Sequence, residues 1–161
     1  MSALLSVIVG IVCGMFAEYW GHRLEHWRIF RPMSHSIHHM GGSTHGWVRE
    51  FFANIKYAAF PLAVVGLAVS YFDVHVALWI AAGFLAHLAF SAYAHELTHT
   101  DASLVFWARP IHYFHHENRQ WRHNFGITNT LFDRLFGTFL DDPTWARKPV
   151  RVRDLFSAKW I

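Results

Sequence analysis

Three apolar runs set the pattern of the chain. Residues 3–20 carry one ionisable side chain, Glu18, and at about 1.5 Å per residue a helix there spans a hydrocarbon core of about 30 Å. A second run covers about 57–72 and contains Pro61, and a third covers about 74–94; only Asp73 parts them, so they predict a tight helical hairpin. No segment sustains the period-two alternation of a strand. The expected fold is all-α: an integral-membrane helical bundle of about three transmembrane helices. The first helix should continue past its span until Pro32 forbids it, and Gly41-Gly42 should interrupt any helix beyond that proline. The third should run to about residue 100, with a new start marked by Arg109-Pro110. Residues 141–161 read as a polar tail or surface helix. No Pro/Gly/Ser-rich linker interrupts the chain, so 1–161 is expected to form a single domain.

Charge placement turns this pattern into an orientation. None of the 14 Lys and Arg residues falls in 1–22 or 57–108; five lie in 23–56 (Arg23, Arg28, Arg31, Arg49, Lys56) and nine in 109–159. Under the positive-inside rule, 21–56 and 95–161 form a cytoplasmic cap, with the N-terminus and the Asp73 turn on the far side. The formal charge of +3 is too small and too mixed with acids for a nucleic-acid surface. Met1-Ser2-Ala3 lacks the basic start of a cleaved signal peptide, so the first run is expected to be retained. A soluble bundle with buried helices is the rival reading, because 57–72 is short for a span. It leaves the charge segregation unexplained. Cys13 is the only cysteine and forms no internal disulfide.

The chemistry lies in the 14 histidines. His22-x-x-x-His26 followed by His35-x-x-His38-His39 is matched by His95-x-x-x-His99 followed by His112-x-x-His115-His116. Residues three or four apart share a helix face, so each pair or triplet can aim its rings one way. All four groups sit at or beyond the cytoplasmic end of an expected span. Ten imidazoles exceed one ion and suit two close metals, with Fe, Cu, Ni and Zn all compatible by ligand type. Because imidazole is neutral, acids near the site are candidates to offset the ions, foremost Glu18, Glu96 and Asp133, with Glu25, Asp101 and Glu117 also in reach. Glu18 is the most informative, since an ionisable residue inside a span usually faces a partner. His45, His75, His87 and His123 read as structural. His87 and Ser91 share a face with His95 and His99 and are candidates to line a cavity above the metals. A metal-binding or transport protein is the alternative from another class, but it calls for ligands along a membrane path, not gathered on one side.

On His22-Arg-Leu-Glu-His26, His35-Ser-Ile-His38-His39, His95-Glu-Leu-Thr-His99 and His112-Tyr-Phe-His115-His116, the chain resembles the fatty acid hydroxylase and sterol desaturase superfamily of integral-membrane diiron enzymes. Asn124-Phe125-Gly126 and Phe132-Asp133-Arg134-Leu135-Phe136-Gly137-Thr138 are similar to that superfamily's closing segment. The carotenoid hydroxylase branch is also similar, though its first box usually has one more residue between its histidines. The resemblance implies two Fe ions, with Zn possible on purification, and O2 as co-substrate. It further implies a lipid or carotenoid entering from the bilayer, and hydroxylation of an unactivated C–H bond at the cytoplasmic face. Desaturation is the close alternative at the same site. An external electron donor of ferredoxin or cytochrome b5 type is expected, since no fused donor domain is recognisable. Substrate identity and oligomeric state stay open.

Overall fold

The computed structural model describes residues 1–27, 38–39 and 45–161. Helix α1 spans Ala3–Glu25, α2 Trp47–Ser70, α3 Val74–Thr100, α4 Ile111–Glu117 and α5 Leu131–Leu135, with 3-10 turns at Ala102–Leu104 and Val152–Ser157. Among the described residues there is no strand. Caps explain where the long helices start. The Ser2 hydroxyl accepts from Leu5 N at 3.3 Å, and Asp73 Oδ1 accepts from His75 N and Val76 N at 2.9 and 3.2 Å. The one charge between the second and third apolar runs is therefore the N-cap of α3, which is why the hairpin turns there.

Helix α2 begins about ten residues before the apolar run that predicts it, and it continues through Pro61. Its first turns carry Arg49, Glu50 and Lys56, a polar stretch that hydropathy alone assigns to a connection. Among the described residues, α1 and α3 are the two helices long and apolar enough to cross a membrane. Their outward faces expose Leu4, Ile8, Val12 and Phe16 on α1, and Leu78, Trp79 and Phe90 on α3. A bilayer would cover such a surface at no desolvation cost.

The α1–α3 contact is built on small residues. Ser6, Gly10 and Gly14 are buried at four-residue spacing on α1, and a Cβ on Gly10 would stand 2.1 Å from Ile80 O. Across the interface, a Cβ on Gly83 would stand 2.2 Å from Val7 O. Absence of side chains lets the backbones touch, as in membrane helix pairs driven by packing and not by water exclusion. The same four-residue rows continue toward the cap as Glu18 and His22 on α1, and as His87, Ser91, His95 and His99 on α3. A helix contact thus aims two rows of side chains at one place. Helix α2 packs against α3.

Beyond the helices, Tyr19, Phe125 and Phe132 form a buried cluster with Met15 and Trp20 against it. The tail is not a regular surface helix. Arg147 donates to the carbonyls of Val105, Phe106 and Ala108, Tyr93 donates its hydroxyl to Leu155 O at 2.6 Å, and Lys159 O and Trp160 O accept from Trp47 N and Val48 N. Those last carbonyls satisfy the free N–H groups at the start of α2, which has no side-chain cap.

Candidate metal centre

Nine of the ten clustered histidines converge into two adjoining groups: His22, His26, His39 and His115 in one, and His38, His95, His99, His112 and His116 in the other. His35 lies outside the described residues. Within each group one ligand atom per ring lies within 4.8 Å of all the others. The groups share a wall: the rings of His39 and His116 stack with centroids 4.0 Å apart, and those of His22 and His112 are 5.0 Å apart. The end of α1 supplies His22 and His26, the end of α3 His95 and His99, α4 His112, His115 and His116, and the stretch between α1 and α2 supplies His38 and His39. The seven-residue α4 starts directly after Pro110, which fixes where its three rings point.

The two halves of the histidine repeat exchange a member. His39 and His116, the last residues of their triplets, sit with their own half's pair. His38, the middle residue of the first triplet, sits with His95 and His99, while His115, the middle residue of the second, sits with His22 and His26.

In the first group the ring nitrogens are pre-set for a cation. His115 Nδ1 donates to His123 O at 2.7 Å and His22 Nδ1 donates to Phe125 O at 2.8 Å. A carbonyl only accepts, so both rings carry a proton on Nδ1, and in the neutral form each turns an Nε2 lone pair inward. His26 Nε2 stands 2.9 Å from His115 Nε2, 3.3 Å from His22 Nε2 and 3.2 Å from His39 Nε2. Nitrogens bound at about 2.1 Å to one ion stand about 3.0 to 3.4 Å apart for octahedral or tetrahedral neighbours, so the spacing fits a metal.

The second group holds buried ring nitrogens without hydrogen bonds. His112 is 2 % exposed and neither of its ring nitrogens has a hydrogen bond; His99 Nε2 and His116 Nε2 are likewise buried without one. An unmade buried hydrogen bond costs about 1–3 kcal/mol. Burial and the crowd of neighbouring imidazoles hold His112 and His116 far below the ordinary histidine range, so both rings are neutral and competent as ligands.

The acids take separate places. Glu50 Oε1 lies 2.6 Å from His95 Nδ1, an ion-pair distance with the oxygen off the axis of the N–H. Sequence reasoning did not single out Glu50; its signal was that it is the one acid between Glu25 and Asp73. Glu96 is buried beside His95. Asp133 accepts hydrogen bonds from Phe125 N and Gly126 N, and burial raises its carboxyl against the lowering effect of those bonds. Glu18 pairs with His87 Nε2 at 3.1 Å and accepts from the backbone of Ile127 and Thr128. His87 is thus buried as the partner of Glu18, with Gly14 opposite leaving space for its ring. Ser91 is buried next along the row. Two apolar cavities, of about 290 Å³ beside Leu62 and Leu85 and of about 220 Å³ beside Trp47 and Tyr93, are lined by neither His87 nor Ser91. The indole of Trp121, 48 % exposed, lies against His39 and His26 with ring centroids 4.9 and 5.7 Å away.

Fold and site together define an all-helical, membrane-associated chain with a paired polyhistidine centre at the helix ends. The family model for fatty acid hydroxylases matches residues 7–138, which takes in all ten clustered histidines and the Asn124–Thr138 segment, and the chain belongs to that family. It is 26 % identical over 139 residues to a Dictyostelium discoideum protein named "Putative methylsterol monooxygenase", an alignment covering 84 % of this chain and 51 % of that protein. The chain therefore spans about half the length of that curated relative. No solved structure matches it.

Proposed function

We propose that the chain is a membrane-bound diiron monooxygenase that hydroxylates an unactivated C–H bond of a lipid at the cytoplasmic membrane face. The observation that carries this reading is the pair of adjoining histidine groups at one end of two apolar helices, in a chain of the fatty acid hydroxylase family. His22, His26, His39 and His115 would hold one ion, and His38, His95, His99, His112 and His116 the other, with His35 a further candidate. Bound iron would supply the activation of O2. The protein's own part is to orient neutral imidazoles, to bury them from water and to offset charge through Glu50. Converting RH and O2 to ROH and water consumes two electrons and two protons, so a reductant of ferredoxin or cytochrome b5 type is required from outside. The family description favours a fatty acyl substrate and the relative's name a sterol-like one; both bring a long apolar body from the bilayer.

Anaerobic iron loading followed by metal analysis and Mössbauer spectroscopy tests the centre. Two irons per chain with a spin-coupled signal are expected, and absence of any coupled pair sinks the diiron reading. Lipid profiling then tests the reaction, comparing cells that carry the wild type with cells that carry a His115→Ala, His116→Ala variant, under air and with a donor system. An oxygenated lipid confined to the wild type is expected; a new double bond without added oxygen would assign desaturation, and identical lipids with an iron-loaded protein would overturn both.

A further inference from the structure

Residues 123–126 form a short bridge beside the first histidine group. The carbonyls of His123 and Phe125, two residues apart, receive the Nδ1 protons of His115 and His22. Two fully buried side chains hold this bridge in place. Asn124, between the two carbonyls, has a φ of 61°, in the left-handed region that asparagine tolerates better than most residues. Its Nδ2 donates to Leu140 O at 2.7 Å and to Gln120 Oε1, its Oδ1 accepts from Leu140 N at 2.9 Å, and its own N–H donates to Thr138 O. Asp133 takes the next two residues. Oδ1 accepts from Phe125 N at 2.9 Å and Oδ2 from Gly126 N at 2.7 Å, while the Thr138 hydroxyl donates to Oδ1 at 2.7 Å. A Cβ on Gly126 would stand 2.9 Å from Asp133 Oδ2 and 2.3 Å from Asn129 O. The carboxylate reaches both amides only because that residue is glycine.

We propose that Asn124 and Asp133 are positioning residues for the His22, His26, His39 and His115 centre: they fix the two carbonyls that keep His22 and His115 protonated on Nδ1 with Nε2 toward the ion. The assignment rests on reading that group as a metal site. Both clamped rings belong to one group, so its loss falls on one ion and spares the other.

Cobalt(II) titration of the detergent-solubilised full chain, with a competing chelator, separates the two equivalents, and NMR of zinc-loaded protein carrying ¹⁵N-histidine reads the ring tautomers. Asp133→Asn sets an NH2 against a backbone N–H. Asn124→Gly keeps the positive φ and removes three side-chain hydrogen bonds. Each is expected to weaken one equivalent by about ten- to hundredfold, to leave the other at wild-type affinity, and to abolish the uniform Nδ1–H tautomer of His22 and His115. Tyr93→Phe, which removes the bond to Leu155 O away from the bridge, controls for lost stability and should leave both equivalents intact. Equal weakening of both equivalents in a folded variant, or weakening of neither, overturns the proposal. If Asp133→Asn does not fold, Asn124→Gly decides alone. A wild type that takes up no cobalt or zinc would instead bring down the metal-site reading beneath it.

Discussion

Glu18 offers the sharpest test of how the membrane helices and the histidine cap are joined. Its Oε2 faces His87 Nε2 at 3.1 Å, and its Oε1 accepts from Ile127 N at 2.7 Å, Thr128 N at 3.0 Å and the Thr128 hydroxyl at 3.3 Å. One carboxylate thus ties α1 to α3 and to the segment just past the 123–126 bridge. The side chains of His87 and Glu18 are only 4 % and 3 % exposed, so water does not replace a lost partner. Glu18→Ala strands an imidazole and two amide N–H groups. Each stranded donor costs about 1–3 kcal/mol, and breaking a buried pair from one side costs about 3–5 kcal/mol in total. Glu18→Gln keeps an oxygen for the amides and leaves an amide group facing His87 in place of the carboxylate, a change worth about 1 kcal/mol. For a chain of this size each kcal/mol moves the melting temperature by about 2–4 °C. Thermal unfolding in detergent should therefore fall by about 6–20 °C for Ala and about 2–4 °C for Gln, with the metal content of the Gln variant unchanged. Equal losses for Ala and Gln would refute the hydrogen-bond account, and a wild-type melting temperature for Ala would refute the network itself.

Gly10→Ala and Gly83→Ala force a methyl into a facing backbone carbonyl; each should cost about 1–3 kcal/mol by overpacking, whereas Gly66→Ala, which meets nothing within 4 Å, should be neutral or slightly stabilising in the same unfolding assay. Glu50→Gln should weaken one of two cobalt equivalents about tenfold or more by loosening His95, and equal weakening of both would contradict that placement. His35→Ala should also reduce metal uptake, because the repeat makes His35 the counterpart of His112, while His45→Ala should not. Through His112 and His116, the metal-free protein should lose stability below about pH 6.5. There the unfolded chain takes up protons that folded His112 and His116 refuse, at up to about 1.4 kcal/mol per pH unit per group. A denaturation series from pH 8 to pH 5 checks the sign, and rising stability toward pH 5 would be the opposite result.

The long helices were legible because hydropathy reports what a bilayer or a core must cover. Helix α2 was legible only in its apolar half: Trp47 to Lys56 reads as a connection, and nothing local announces that Lys159 O and Trp160 O will cap it from the far end of the chain. The ten histidines were legible as four groups, since helical spacing fixes which rings share a face. Spacing carries no information on which group meets which, so the exchange of His38 and His115 emerges only in three dimensions. Glu18 stood out as an acid in an apolar run, but its partners at Ile127 and Thr128 are more than a hundred residues away. The row Ser6, Gly10, Gly14 was present at regular spacing, yet hydropathy counts those residues as weakly apolar filler, where packing uses them for what they lack.

The exchanged histidines also govern the order of assembly. Neither group is complete until α4 has been synthesised, because the first needs His115 and the second needs His112 and His116. If the two groups hold ions as proposed, metal capture would therefore follow the formation of both α1 and α3. Once made, such ligand bonds would close the chain from residue 22 to residue 116 into stapled loops. On that reading the ions would be late structural rivets, locking a topology that the glycine-lined helix contact has already aligned.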